Sequence, residues 1–149
     1  MNANVENCVI NGIRSTPWNG IYCASKAALR SLSEVLFMEC KPFNIHVVHL
    51  APGSVKSNLS TNHSQIFNLP PTSLYKSFLD NMVQRMYASQ GPESMDTGEF
   101  SQTVVRAILR KNPPRILTLG GNVWSFRFLK ALPRGLALAI LWWVFTKKK

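Results

Sequence analysis

Acidic residues are scarce in this 149-residue chain, seven against seventeen Lys and Arg, and none of the seven lies beyond position 99. The ten cations of residues 100–149 therefore stand unneutralised (Arg106, Arg110, Lys111, Arg115, Arg127, Lys130, Arg134, Lys147, Lys148 and Lys149), whereas the seven of residues 1–99 cancel against the acids. This asymmetry excludes an acidic interaction tail and points to a polyanion, either nucleic acid or an anionic membrane face. Cysteine is sparse too: Cys8, Cys23 and Cys40 make no CxxC pair and no even set. That excludes a disulfide scaffold or zinc finger and favours a reducing compartment. Long hydrophobic runs are lacking. The longest apolar stretch, Leu136 to Phe145, has ten residues, and a membrane-crossing helix needs about 20. The chain is nevertheless long enough for one domain with a buried core.

What is present in the tail narrows the polyanion. Residues 122–149 read NVWSFRFLKALPRGLALAILWWVFTKKK and hold Trp124, Trp142 and Trp143 beside Phe126, Phe128 and Phe145. Bases stack on isolated aromatics interleaved with cations, and here the aromatics sit in one aliphatic run, so nucleic acid ranks last. Extending the run backward to span a bilayer would bury Arg127, Lys130 and Arg134, at a cost. Two placements remain: a helix lying in a membrane interface with lysines on anionic headgroups, or a helix packed on its own domain with a solvated basic end. Met1 to Val9 lacks the features of a secretory signal. The expected location is accordingly the cytosolic face of the endoplasmic reticulum or a lipid droplet, otherwise the cytoplasm.

The rest of the chain alternates strand and helix signals. Cys8, Val9 and Ile10 suggest a short strand. Ile21 to Lys41 carries apolar residues at steps of three and four with no Gly or Pro before Pro42. Ile45 to Leu50 (IHVVHL) is a near-continuous apolar run bounded by Pro42 and Pro52-Gly53, the pattern of a strand covered on both faces in a parallel sheet. Residues 54–72 are polar and read as a structureless lid or linker. Residues 73–89 and 97–111 read as helices, and Arg115 to Leu119 as a strand ending at Gly120-Gly121. The order (β)–α–β–α–α–β–α is an α/β layout with a parallel sheet. His46 and His49 point to opposite faces of their strand, so no shared metal is expected.

One constellation carries chemistry. Tyr22-Cys23-Ala24-Ser25-Lys26 sets a phenol and an ammonium four residues apart at the start of a helix, on one face. A neighbouring cation favours phenolate and draws the tyrosine toward a working proton shuttle for a carbonyl or alcohol oxygen. By itself this pair is common on surface helices, and Pro52-Gly53 alone is an ordinary strand-ending turn.

In order along the chain stand YxxxK (Tyr22, Lys26), a helix of about twenty residues, a buried strand, and Ala51-Pro52-Gly53-Ser54-Val55. With these the chain resembles the short-chain dehydrogenase/reductase family, and within it the fungal branch of 1-acyldihydroxyacetone-phosphate reductases. The resemblance implies the C-terminal part of a Rossmann-like doubly wound parallel sheet: a truncated domain over 1–121 without its dinucleotide-binding half, then an apolar, aromatic and basic tail over 122–149. It implies Tyr22 as proton donor in reduction and Lys26 as the group that lowers its pKa and binds the nicotinamide ribose. Pro52, Gly53, Ser54 and Val55 would line the nicotinamide of NADP (or NAD), and Ser57 would reach the diphosphate. The substrate would be a lipid-like carbonyl compound, and the long helix a homodimer face.

Three departures accompany the resemblance. The polarising serine of the family would fall on Val9, next to Cys8, with Ser15 and Thr16 out of register; losing one such donor costs about 3 kcal/mol, roughly a hundredfold in rate. No glycine-rich TGxxxGxG turn for a pyrophosphate occurs in the sequence. The strands that would flank Ile45–Leu50 are not evident. Two expectations stand side by side: an NADP-dependent reductase of a lipid-linked ketone, and a non-catalytic remnant acting through membrane or dimer contacts.

Overall fold

The computed structural model of the chain describes residues 3–7 and 15–147. Three strands, β1 (Ala3–Asn7), β2 (His46–Pro52) and β3 (Ile116–Leu119), form one sheet in the order β1-β2-β3. Both pairings are parallel, with Ala3 opposite His46 and His49 opposite Ile116. Parallel neighbours require crossovers. The first is α1 (Gly20–Glu39); the second runs through α2 (Leu59–Ile66), α3 (Leu79–Met86) and α4 (Thr97–Ile108). After β3 come α5 (Val123–Ala131) and α6 (Arg134–Thr146).

The central strand is the core. Val47 through Pro52 are all buried, Val48 at 1% exposure, as an apolar run covered on both faces requires. Helix α1 is pinned to it by a polar bond: His49 Nδ1 lies 3.1 Å from Ser33 Oγ, both groups buried. The Ser33 hydroxyl already donates to the Leu29 carbonyl at 2.8 Å, so the imidazole is the donor. Pro42 stops α1, and Asn44 at φ 55° turns the chain into β2.

Several expectations change. The first strand lies at Ala3–Asn7, and the expected positions Cys8, Val9 and Ile10 lie outside the described residues. The polar stretch 54–72 holds α2, which its composition does not announce. Tertiary bonds hold that helix: Ser60 is buried, and the Gln90 amide donates to the Ser60 hydroxyl (3.1 Å) and the Ser57 carbonyl (2.9 Å). The helix expected over 73–89 is confined to a 3₁₀ turn at Lys76–Phe78 and the eight residues of α3. The tail is two helices, because Pro133 forces Leu132 into an extended conformation.

Among the described residues no helix is long and apolar enough to cross a membrane. Helix α6 is packed on one side and open on the other. Ala137 and Leu141 are buried, while Trp143 is 61% exposed. The packed side is tied to α3 by Asn81 Nδ2 donating to the Phe145 carbonyl (2.9 Å) and by the rings of Trp142 and Phe78, 6.1 Å apart.

Candidate active site

Helix α1 begins on a turn under strain. Trp18 takes φ 57°, a conformation uncommon for a bulky residue, and its indole packs 5.7 Å from the Phe78 ring. Such a backbone persists only where packing holds it, often beside a working site. Four residues on, Tyr22 stands in the first turn of α1 and lines a cavity of about 1230 Å³. The Lys26 ammonium lies 5.6 Å from the Tyr22 ring centroid, so the two side chains share a face as the i, i+4 spacing predicts. Lys26 itself is not among the residues lining the cavity.

The turn after β2 forms the second wall. Pro52, Gly53, Ser54, Val55 and Ser57 all line the same cavity. Its conformation is fixed by a lattice of backbone bonds to the end of β3 and the start of α4. Gly53 N–H donates to the Leu119 carbonyl (2.6 Å), Ser54 N–H to Gly121, and Gly121 N–H back to Ser54 (2.9 Å each). Met95 N–H donates to Ser54 and Lys56 N–H to Met95, and the Thr97 hydroxyl donates to the Lys56 carbonyl. Because this lattice uses the carbonyl of residue 54 and the amide of residue 56, Val55's own amide and carbonyl turn to the opposite side.

Glycine is required here by packing. A Cβ on Gly53 would lie 2.3 Å from the Gly121 carbonyl oxygen, and one on Gly121 would lie 1.8 Å from the Glu93 carbonyl oxygen. Ser57 is exposed at the entry to α2, with its hydroxyl 3.5 Å from the Leu59 amide. Val9 and Cys8, the register of the family's serine, lie outside the described residues.

The third wall consists of residues that carried no signal in the sequence as site residues. Ile140, Leu141, Val144 and Phe145 of α6 and Leu129 of α5 face the cavity, so the tail closes the site it follows. Arg85 of α3 lines it as well. Its Nη2 donates to Thr16 Oγ1 (3.3 Å), its guanidinium sits 5.4 Å from the Phe145 ring centroid, and its Nε is buried without a hydrogen-bond partner. Burial pushes the Arg85 pKa down, opposed by charge interactions with Cys23 and Tyr22. The signal that would have found Arg85 is its i−3 spacing from the apolar Met82, which places the two on one face of α3.

The cavity exceeds the roughly 300–1,000 Å³ of common ligand pockets and joins a phenol to a rigid turn whose Val55 amide is turned away from the lattice. The glycine-rich turn that would hold a pyrophosphate is absent from the sequence.

Comparison with known proteins finds short-chain dehydrogenases. The short chain dehydrogenase family matches residues 5–66. A short-chain dehydrogenase of Penicillium crustosum is 32% identical over 125 residues, 78% of this chain and 44% of that protein. The NADPH-dependent 1-acyldihydroxyacetone phosphate reductase of Saccharomyces cerevisiae is 29% identical over 105 residues, 69% and 34% of the two chains. A crystal structure of a short-chain dehydrogenase from Streptomyces avermitilis, 24% identical, superposes with a TM-score of 0.66 over 95% of this chain and 50% of that one. The chain thus spans under half the length of these two curated relatives.

The match corrects one expectation. The resemblance, and with it the fold, was expected to be the family's C-terminal part alone. The matched stretch is the N-terminal part of this chain, taking in the β1–α1–β2 unit and ending in α2, so that restriction does not hold. The chain is homologous to the short-chain dehydrogenases and has their Rossmann-like α/β fold.

Proposed function

We propose that this chain carries the carbonyl-handling site of an NADP-dependent oxidoreductase of the short-chain dehydrogenase type, reducing a lipid-like ketone with Tyr22 as the proton donor. The reading rests on one observation: Tyr22 and the turn Pro52–Ser57 line a single cavity, with the Lys26 ammonium 5.6 Å from the Tyr22 ring centroid. In this reading Tyr22 gives its hydroxyl proton to the carbonyl oxygen, and the Lys26 charge stabilises the phenolate that is left. When bound, the reduced nicotinamide supplies a hydride to the carbonyl carbon, so the ketone becomes an alcohol and the nicotinamide is oxidised. Pro52, Gly53 and Val55 hold the nicotinamide end through the rigid turn, Lys26 binds its ribose, and Ser57 lies toward the diphosphate.

The apolar wall from α5 and α6 favours an acyl chain over a small polar ketone. The relatives include proteins named for lipid-linked carbonyl reduction, the yeast acyldihydroxyacetone phosphate reductase and a 3-ketodihydrosphingosine reductase of Bacteroides thetaiotaomicron. The same reading sets the outer face of residues 122–149 on the surface of the endoplasmic reticulum or a lipid droplet, where such substrates reside. It makes 1–121 the catalytic unit and the exposed apolar residues of α1 between Ala24 and Glu39 (Leu32, Val35, Met38) a homodimer face. The test is titration of the full chain with NADPH followed by nicotinamide fluorescence, then NADPH oxidation with a long-chain ketone. Saturable binding and turnover are expected. Absence of saturable binding overturns the enzymatic reading and leaves a non-catalytic protein acting through membrane or dimer contacts.

A further inference from the structure

Arg85 is placed unlike any other cation among the described residues. It lines the cavity that Tyr22 lines, whereas the ion pair of Arg30 with Glu34 lies on the surface of α1. Arg85 thus stands in a largely apolar enclosure with no carboxylate of the described residues paired to it. Of the five N–H donors of its guanidinium, one is engaged, by Thr16, and Nε is sealed from solvent with no acceptor. Its charge interactions are with the Cys23 thiol and the Tyr22 phenol, groups whose ordinary form is neutral, and a half-buried cation so placed is costly. A structural clamp between Thr16 and Phe145 would be served as well by an uncharged side chain, so the charge calls for a further explanation. The surroundings supply one: the Thr16 contact and the Phe145 ring fix the orientation of the planar fork, and such a fork pairs bidentately with a carboxylate or phosphate.

We propose that Arg85 recognises the anionic group, phosphate or carboxylate, of an amphiphilic ligand whose hydrocarbon part lies against Leu141, Val144 and Phe145 in the same cavity. This rests on the proposed function in that the ligand's carbonyl is the group Tyr22 protonates, but it is read by binding alone. In the bound state the anion supplies a full counter-charge. Neutral ketones of equal length then fill the apolar wall while leaving the guanidinium unpaired, so the site selects by head group.

The test is isothermal titration of the full chain with three octyl probes below their micelle concentration: octyl phosphate, octanoate and octanol. At least one anion is expected to bind ten-fold or more tighter than octanol. The tighter of the two anions names the head group, and its affinity falls with ionic strength while that of octanol does not. Arg85→Gln is expected to bring the anions down to the level of octanol without changing octanol itself, and Arg85→Lys to keep part of the preference. Should octanol bind as tightly as both anions, or Arg85→Gln weaken all three probes equally, Arg85 is a clamp and the proposal falls. If Arg85→Gln does not fold, Arg85→Lys decides the matter: a reduced anion preference supports the site, and an unchanged one assigns the anion to the basic tail and overturns the proposal. Anion-selective binding without ketone turnover would sink the catalytic reading and leave this site standing.

Discussion

Tyr22 and Phe145 line one cavity, and they are held there by different physics. The Tyr22 side is backbone-made. A short strand, a twenty-residue helix and the Pro52-Gly53 turn are locked by hydrogen bonds and by glycines whose missing Cβ atoms are occupied by neighbouring carbonyls. The Phe145 side is held by apolar burial on one face of α6, a few ring contacts and one amide bond from Asn81, with Trp143 and Leu136 left open. The first kind of wall fixes where reacting atoms sit. The second can differ in composition and still close a pocket, because apolar packing is non-directional.

Mutations that separate the two walls test this contrast. The largest effect is expected from Tyr22→Phe, which removes the proposed proton donor and should slow ketone reduction by about 10²–10⁴-fold while leaving the thermal transition in place; a variant that keeps its rate in an NADPH-oxidation assay would detach this wall from the chemistry. Next is Leu141→Ala on the cavity face of α6. Truncating a buried leucine costs about 2 kcal/mol or more, and the melting temperature should fall by about 4–8 °C in calorimetry. Gly53→Ala should follow, at about 1–3 kcal/mol, since its Cβ meets a backbone oxygen in the turn lattice; an unchanged melting point would mean the lattice yields. The smallest change in stability, within about 0.5 kcal/mol, is expected from Trp124→Ser with Trp143→Ser on the open face. That pair should instead lower flotation with anionic vesicles several-fold. Equal flotation of variant and wild type would remove the lipid surface from the proposal.

Local readings succeeded where the determinant is local. The spacing of Tyr22 and Lys26, the unbroken helical period to Pro42, and the apolar run into Pro52-Gly53 each specify an element or a face within a few residues, and α1, β2 and the turn stand within two residues of those readings. Helix α2 was illegible because its support comes from Gln90, thirty residues away from Ser60. The extent of the tail's two helices followed Pro133, but nothing in LALAILWWVF indicates which side meets α3.

Composition and spacing by themselves determined an α/β order, a phenol–ammonium pair at a helix start and a basic, aromatic tail, since those depend on contacts within one or two turns of chain. Only the tertiary structure decided that the tail roofs the cavity, that Arg85 stands inside it with no carboxylate among the described residues, and that a Cβ on Gly53 would clash with Gly121. Those facts arise from segments 60 or more residues apart brought to van der Waals distance, and no local pattern encodes such a meeting.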